Sequence, residues 1–296
     1  MILDAHAHVF SEVVLQRRAE FAERDTWFGL LNPPGTRRLA TAARLVRSMD
    51  AAGVDAAVAL SFGWTDQGIC AEQNDYLLEA ARRFPGRLLP FCTVQPRAGA
   101  AAVREVERAA KLGFRGVGEL FPDGQGFALD NRATLAPLLE ACSALRMVVL
   151  VHASEPLGRS YAGKGETTPA RLLQLAALVR DVAPDLRVVC AHLGGGLPFY
   201  ELMPDVRALA REFYYDTGAA AYLYEPACLA HVTRIAPDRL IFGSDFPVIG
   251  LQRMVSYVHS AGLAPDQLQA VLWTNAARLL GLDAAPSVPG EAGARR

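Results

Sequence analysis

The chain has 296 residues, a formal net charge of −1 and 51% hydrophobic residues. This length suits one large α/β domain, and the hydrophobic content is sufficient for a large buried core. The balanced charge argues against nucleic acid or an anionic membrane surface as a partner. No stretch approaches the ~20 apolar residues of a membrane span, so we expect no membrane segment.

The cysteines and the first residues bear on the cellular compartment. The five cysteines are scattered and form no Cys-x-x-Cys pair, so neither a disulfide framework nor a thiolate zinc site is expected. The first predicted strand begins at Met1, which leaves no room for a signal peptide. We therefore expect free thiols and a cytoplasmic location. Assembly into a homo-oligomer stays open.

Short apolar runs alternate with helical patterns along the whole chain. The predicted strands are Met1–His8, Asp55–Ser61, Arg87–Val94, Arg115–Leu120, Met147–Ala153, Arg187–His192, Phe213–Thr217 and Arg239–Asp245. The predicted helices lie near residues 36–52, 70–84, 99–112, 131–145, 168–182, 199–211, 225–235, 250–260 and 264–281.

Strands that alternate with helices predict a parallel sheet, most simply a single-domain (β/α)8 TIM barrel over residues 1–283. An open doubly wound sheet is the alternative. No Gly-x-Gly-x-x-Gly follows any predicted strand, which disfavours the dinucleotide-binding form of that alternative. Residues 284–296 are rich in Pro, Gly and Ala and are predicted to be a disordered tail.

Four of the six histidines lie at the ends of predicted strands, namely His6, His8, His152 and His192. His6 and His8 share one face of their strand because alternate side chains point the same way. The carboxyl ends of parallel barrel strands meet at one mouth, where barrel active sites lie. The sequence therefore predicts that these imidazoles converge on a metal ion.

Two carboxylates end further strands and complete the predicted ligand set. Glu119 closes the fourth strand and Asp245 the eighth. Nitrogen and oxygen ligands without thiolates suit a divalent metal, with zinc favoured and manganese, iron or nickel as alternatives. Taken singly, Asp245 before Phe246-Pro247 is equally a turn former, and Glu119 equally a solvated loop carboxylate.

Other polar residues near the strand ends are open to two interpretations. Asp4 lies one pleat below His6, so we expect it to support the site by hydrogen bonding, and Asp216 ends the seventh strand in an ambiguous phase. Residues 10–35 and 154–167 form long connections that suit lids or binding loops. In the second, Arg159 and Lys164 suit either a substrate anion or simple solvation of the loop.

These motifs resemble the amidohydrolase superfamily, specifically the amidohydrolase-related branch of metal-dependent TIM-barrel hydrolases. That branch also includes aminocarboxymuconate semialdehyde decarboxylase. The resemblance spans nearly the whole chain and rests on Gly113–Leu120, Leu150–Pro156, Ala191–Gly196, Ile241–Pro247 and Thr274–Gly281. It implies His6, His8, His152 and Asp245 as the core metal set.

The resemblance implies a hydrolase in which a metal-activated water attacks a small amide, ester or lactone. Asp245 would carry the proton, and His192 would polarise the substrate or ligate a second ion. Glu119 resembles the bridging carboxylate of TatD-type deoxyribonucleases, and it decides between one ion and two. The small-molecule substrate itself cannot be named from the fold.

Other functions compete with hydrolysis. The main alternative is a mononuclear metal-dependent decarboxylase, a lyase acting on an aromatic or muconate-like acid. A nuclease is disfavoured by the balanced charge, because phosphate contacts dominate nucleic-acid affinity. A catalytically silent metal-binding protein is disfavoured by the complete ligand set with its acid/base aspartate.

Overall fold

Parallel strands in sequential order, β1 to β8, form the centre of the molecule in a computed structural model that describes residues 1–35 and 39–282. The strands are Leu3–His8 (β1), Ala56–Leu60 (β2), Leu88–Cys92 (β3), Gly116–Leu120 (β4), Val148–Val151 (β5), Val188–Cys190 (β6), Phe213–Asp216 (β7) and Leu240–Ile241 (β8). The predicted single-domain (β/α)8 barrel is confirmed. The predicted tail, 284–296, lies outside the described residues.

Helices follow the strands and surround the barrel. They are Glu12–Gln16 (α1), Arg18–Arg24 (α2), Thr26–Leu31 (α3), Ala42–Ala52 (α4), Gln67–Arg83 (α5), Ala100–Lys111 (α6), Pro122–Gln125 (α7), Arg132–Ala144 (α8), Pro169–Val182 (α9), Ala191–Gly194 (α10), Leu197–Tyr200 (α11), Pro204–Leu209 (α12), Ala220–Leu223 (α13), Ala227–Ile235 (α14), Leu251–His259 (α15), Pro265–Gln269 (α16) and Asn275–Leu279 (α17). A 3₁₀ turn covers Pro96–Ala98 and a π-helical turn covers Ala270–Thr274. Within residues 1–35 and 39–282, no helix has the length and apolar character needed to cross a membrane.

The core lies between the barrel and its helices. Strand residues such as Val117 and Val149 pack in one apolar cluster with helix residues such as Val106 and Leu135. Short strands like Val148–Val151 are apolar throughout because both faces of a parallel barrel strand are buried. This packing holds each strand end at a fixed position around the mouth.

Hydrogen bonds between β1 and the segment after β8 close the barrel. The Ala5 amide donates to the Phe242 carbonyl at 2.8 Å, and the Asp245 amide donates to the His6 carbonyl at 2.9 Å. Below them the buried Asp4 carboxylate accepts from the Ser244 amide at 2.8 Å and from the Ser244 hydroxyl at 2.6 Å. Burial raises the pKa of Asp4 to about 6. The closure brings the Asp245 backbone beside His6.

Several elements differ from the sequence prediction. The last strand is only Leu240–Ile241, because the chain leaves the strand before Asp245, which has a φ of +59°. Residues 10–35 contain short helices rather than an open loop. The helix predicted over 199–211 is divided, since Pro204 begins a second helix.

The three glycines after β6 allow a close approach between two mouth loops. All three have positive φ, and a Cβ on Gly195 would lie 2.2 Å from the Ser154 carbonyl oxygen in the loop after β5. Gly195 therefore fixes how the loop after β6 packs on the loop after β5. No side chain fits at that position without movement of the backbone.

We predict that Gly195→Ala destabilises the protein by roughly 2 kcal/mol or more, because it combines a left-handed backbone with a clash against main chain. Thermal unfolding with metal in excess measures the change. Gly250→Ala is the matched control, since a Cβ there meets nothing within 4 Å. Equal unfolding temperatures for the two variants would contradict the proposed packing role.

Candidate functional site

The predicted ligand residues come together at the carboxyl ends of the strands. β1 supplies His6 and His8, and β4 supplies Glu119. The residue that directly follows β5 is His152. His192 and Asp245 lie within a few residues of the ends of β6 and β8. All six side chains belong to residues that are at most 8% exposed.

One half of the site forms around the imidazoles of β1. The Nε2 atoms of His6 and His8 lie 3.0 Å apart. Asp245 Oδ1 is 3.3 Å from His8 Nε2 and 3.8 Å from His6 Nε2. Glu119 Oε2 is 3.5 Å and 3.7 Å from the same two nitrogens.

The tautomers of these imidazoles follow from their other ring nitrogens. His6 Nδ1 donates to Asp216 Oδ2 at 2.8 Å, and His8 Nδ1 donates to the Ser61 carbonyl at 2.8 Å. In the neutral ring the facing Nε2 atoms then both carry lone pairs. Two lone pairs 3.0 Å apart repel unless a cation lies between them, so this donor set fits a divalent metal ion.

The second half of the site shares Glu119. Glu119 Oε1 lies 3.1 Å from His152 Nδ1 and 3.5 Å from His192 Nε2. His192 Nδ1 donates to the Gly218 carbonyl at 2.9 Å, which leaves its Nε2 free to act as a ligand. Glu119, His152 and His192 form a second cluster whose ligand atoms all lie within 4.8 Å of one another. Each oxygen of Glu119 thus faces one pair of imidazoles.

The electrostatics keep Glu119 ionised. Burial alone would raise its pKa, but the surrounding imidazoles, with His6 foremost, hold the pKa well below its usual value. Burial would likewise lower the pKa of His192, but its hydrogen bond to Glu119 and the nearby carboxylates raise that pKa to about 9. A buried carboxylate among imidazoles requires positive charge, supplied by bound protons or by a metal ion.

Asp216 orients other residues of the site through hydrogen bonds. The sequence could not assign this role because the strand phase at Asp216 was ambiguous. Its Oδ2 accepts from His6 Nδ1, and its Oδ1 accepts from the His192 amide at 2.9 Å and the Gly218 amide at 2.8 Å. It is fully buried. A carboxylate that orients a ligating histidine in this way is a recurrent feature of metal sites.

Two of the site residues have an unusual backbone. His192 has a φ of +56° and Asp245 a φ of +59°. Residues other than glycine rarely adopt this region, and such strain is concentrated at functional sites. The left-handed turns direct both side chains inward at points where the sequence pattern predicted continuing strand.

A cavity of about 420 Å³ opens above the ligands. Its walls are mainly apolar and aromatic, with Phe10, Leu31, Phe62, Phe121, Tyr161, Tyr222, Leu223 and Val248 among the lining residues. Such a cavity suits a small, flat, largely apolar molecule with a polar end toward the ligands.

The two basic residues of the loop after β5 differ in their surroundings. Lys164 Nζ lies 3.4 Å from Glu155 Oε1 and donates to the carbonyls of Leu157 and Arg159. It therefore stabilises the loop. Arg159 lines the cavity.

Comparison with known proteins identifies the family. A family model described as "Amidohydrolase" matches residues 3–282. Gamma-resorcylate decarboxylase of Polaromonas sp. is 23% identical over 93% of this chain and 97% of its own length. The 2-amino-3-carboxymuconate-6-semialdehyde decarboxylase of Dictyostelium discoideum is 22% identical over 59% of this chain and 55% of its own length.

A solved structure supports the fold. The 5-carboxyvanillate decarboxylase of Novosphingobium aromaticivorans superposes with a TM-score of 0.78 at 20% identity, covering 95% of this chain and 96% of that one. That structure holds manganese and 4-hydroxy-3-methoxy-5-nitrobenzoic acid.

These comparisons correct the expected reaction. The prediction of a hydrolase attacking an amide, ester or lactone is wrong, because the curated relatives that the chain matches, including those that cover most of it, are decarboxylases. The alternative weighed from the sequence, a lyase, agrees with them. The histidine and carboxylate clusters support a divalent metal, whereas they do not favour zinc in particular.

We predict that Asp216→Asn weakens Mn²⁺ binding about 10- to 100-fold. The asparagine side chain has one acceptor oxygen. It therefore cannot accept hydrogen bonds both from His6 Nδ1 and from the main-chain amides of His192 and Gly218, as Asp216 does. Competition with a chromogenic chelator measures the affinity. The exposed Asp185→Asn is the control, and unchanged affinity in Asp216→Asn would contradict the orienting role.

Proposed function

The chain belongs to the amidohydrolase family, and from this premise we propose that it is a metal-dependent decarboxylase of a small hydroxylated aromatic acid. The observation that carries the proposal is the pairing of a buried histidine and carboxylate cluster with a cavity whose walls are aromatic. The decarboxylase activity of the relatives supports it.

The proposed reaction replaces a carboxylate on the ring by hydrogen. The bond between the ring carbon and the carboxyl carbon breaks, its electron pair stays on the ring carbon, and carbon dioxide leaves. One proton then forms the new C–H bond, so each turnover consumes one proton. The protein must therefore orient the carboxylate and deliver a proton to a single ring carbon.

The residues of this chain divide these tasks between them. Asp245 lines the cavity and faces the His8 imidazole, where it is suited to carry the proton to the ring carbon. His192 also lines the cavity, and its Nε2 is suited either to ligate an ion or, in the alternative, to bind the departing carboxylate. The apolar walls exclude water and hold the ring flat against the site.

The proposed metal set comprises His6, His8, Glu119, His152, His192 and Asp245. A bound divalent ion would neutralise the buried carboxylates and polarise a substrate oxygen. We take manganese as the first metal to test, because the solved relative holds it. Glu119 is proposed to bridge two ions, since its two oxygens face separate pairs of imidazoles.

We predict that the Mn²⁺-loaded protein releases carbon dioxide from at least one acid in a panel of hydroxybenzoates that includes gamma-resorcylate and 5-carboxyvanillate. In D₂O the product should carry one deuterium at the carbon that lost the carboxylate. Gas release and mass spectrometry measure the two results. Absence of carbon dioxide from the whole panel would contradict the proposal.

Asp245→Asn should lower that turnover about a hundredfold or more, because the amide cannot deliver a proton. Metal content is measured alongside, so that loss of the ion is separated from loss of the proton carrier. The exposed Asp238→Asn is the control. Full turnover in Asp245→Asn at equal metal content would exclude the proposed role of Asp245.

The bridging role of Glu119 has its own test. We predict close to two Mn²⁺ ions per wild-type chain under saturating metal and close to one in Glu119→Gln, as measured by mass spectrometry of the metal. The exposed Glu140→Gln should match the wild type. One ion per wild-type chain would exclude the bridge while leaving decarboxylation, which needs only one ion, unaffected.

A further inference from the structure

The cavity contains one strongly basic side chain that does not belong to the ligand clusters. Among the described residues that line it, Arg159 is the only lysine or arginine. It belongs to the loop after β5, and the residue is exposed to solvent. The lining carboxylates, Glu119 and Asp245, belong to the ligand clusters instead.

Arg159 has little to hold it in the protein. Its closest hydrogen bond runs from Nη2 to the Tyr222 carbonyl at 3.5 Å, the outer limit for such a contact. No ion pair among the described residues involves it, whereas the neighbouring Lys164 pairs with Glu155. The guanidinium is therefore available for an anion from outside the protein.

The loop presents Arg159 in a fixed position. Lys164 Nζ donates to the Arg159 carbonyl at 3.1 Å and to the Leu157 carbonyl at 2.8 Å. The Tyr161 hydroxyl donates to Glu155 Oε2 at 3.1 Å, which is a further hydrogen bond within the same loop. Because the main chain at Arg159 is already ordered, only its side chain loses conformational freedom when a ligand binds.

We infer that Arg159 binds a second acidic group of the substrate, so that the preferred substrate is an aromatic diacid. This inference rests on the proposed function, in which one carboxylate lies at the metal clusters. A second carboxylate within apolar walls is costly unless it meets its own cation, and a guanidinium matches a carboxylate with two parallel hydrogen bonds. The ligand clusters and the Arg159 guanidinium would then hold two acidic groups of one flat molecule.

The test compares two acids that differ by one carboxylate. Salicylate has one, and 4-hydroxyisophthalate is salicylate with a second carboxylate para to the hydroxyl. Calorimetric titration of the Mn²⁺-loaded protein should show about tenfold or tighter binding of the diacid. Arg159→Gln should abolish this preference without weakening salicylate binding. Arg253→Gln is the matched control, since Arg253 lies 4.6 Å over the Tyr222 ring but does not line the cavity.

The outcomes separate this inference from the proposed reaction. Equal affinity for the two acids in the wild type, failure of the diacid to bind, or an unchanged preference in Arg159→Gln would each overturn the role of Arg159. Tight binding of the diacid that Arg159→Gln abolishes, without carbon dioxide release from any acid, would support Arg159 and refute the decarboxylase instead.

Discussion

The site depends on the closure of the barrel between its first strand and the segment after its last. These parts of the chain are more than 200 residues apart, yet the Asp245 amide donates to the His6 carbonyl and Asp4 accepts two hydrogen bonds from Ser244. Without these hydrogen bonds Asp245 would have no fixed position beside the imidazoles. Because Asp4 is fully buried, its hydrogen bonds form where water cannot compete, and loss of either partner would leave a polar group unsatisfied.

The sequence was sufficient to predict the barrel and the convergence of the ligands. Strand ends in a parallel barrel share one mouth, so residues such as His152 and His192 could be placed together without any knowledge of their contacts. The boundaries were less accurate, since the chain leaves β8 well before Asp245. The left-handed backbone at Asp245 and His192 has no sequence signal in residues other than glycine, and it arises only from tertiary context.

The reaction was beyond the reach of the sequence pattern. The same histidines and carboxylates serve hydrolysis and decarboxylation, because both reactions need a polarised oxygen and a proton carrier. What separates them is the shape and polarity of the cavity, and that depends on loop residues such as Arg159 and Tyr222. The loop after β5 carries two basic residues that the sequence could not tell apart. In the structure Lys164 stabilises the loop, whereas Arg159 lines the cavity. The residues at strand ends therefore indicate the metal chemistry, whereas the loop residues indicate which substrate the cavity accepts.

The contact between Gly195 and the Ser154 carbonyl bears on the choice of metal. His152 and His192 lie in the chain segments that this contact joins, so the contact limits how far the main chain of one segment can shift against the other. An ion of a different radius at the proposed site would have to be accommodated by rotation of the imidazoles rather than by movement of the main chain. Exchange of one divalent ion for another should therefore leave the mouth of the barrel almost unchanged in shape.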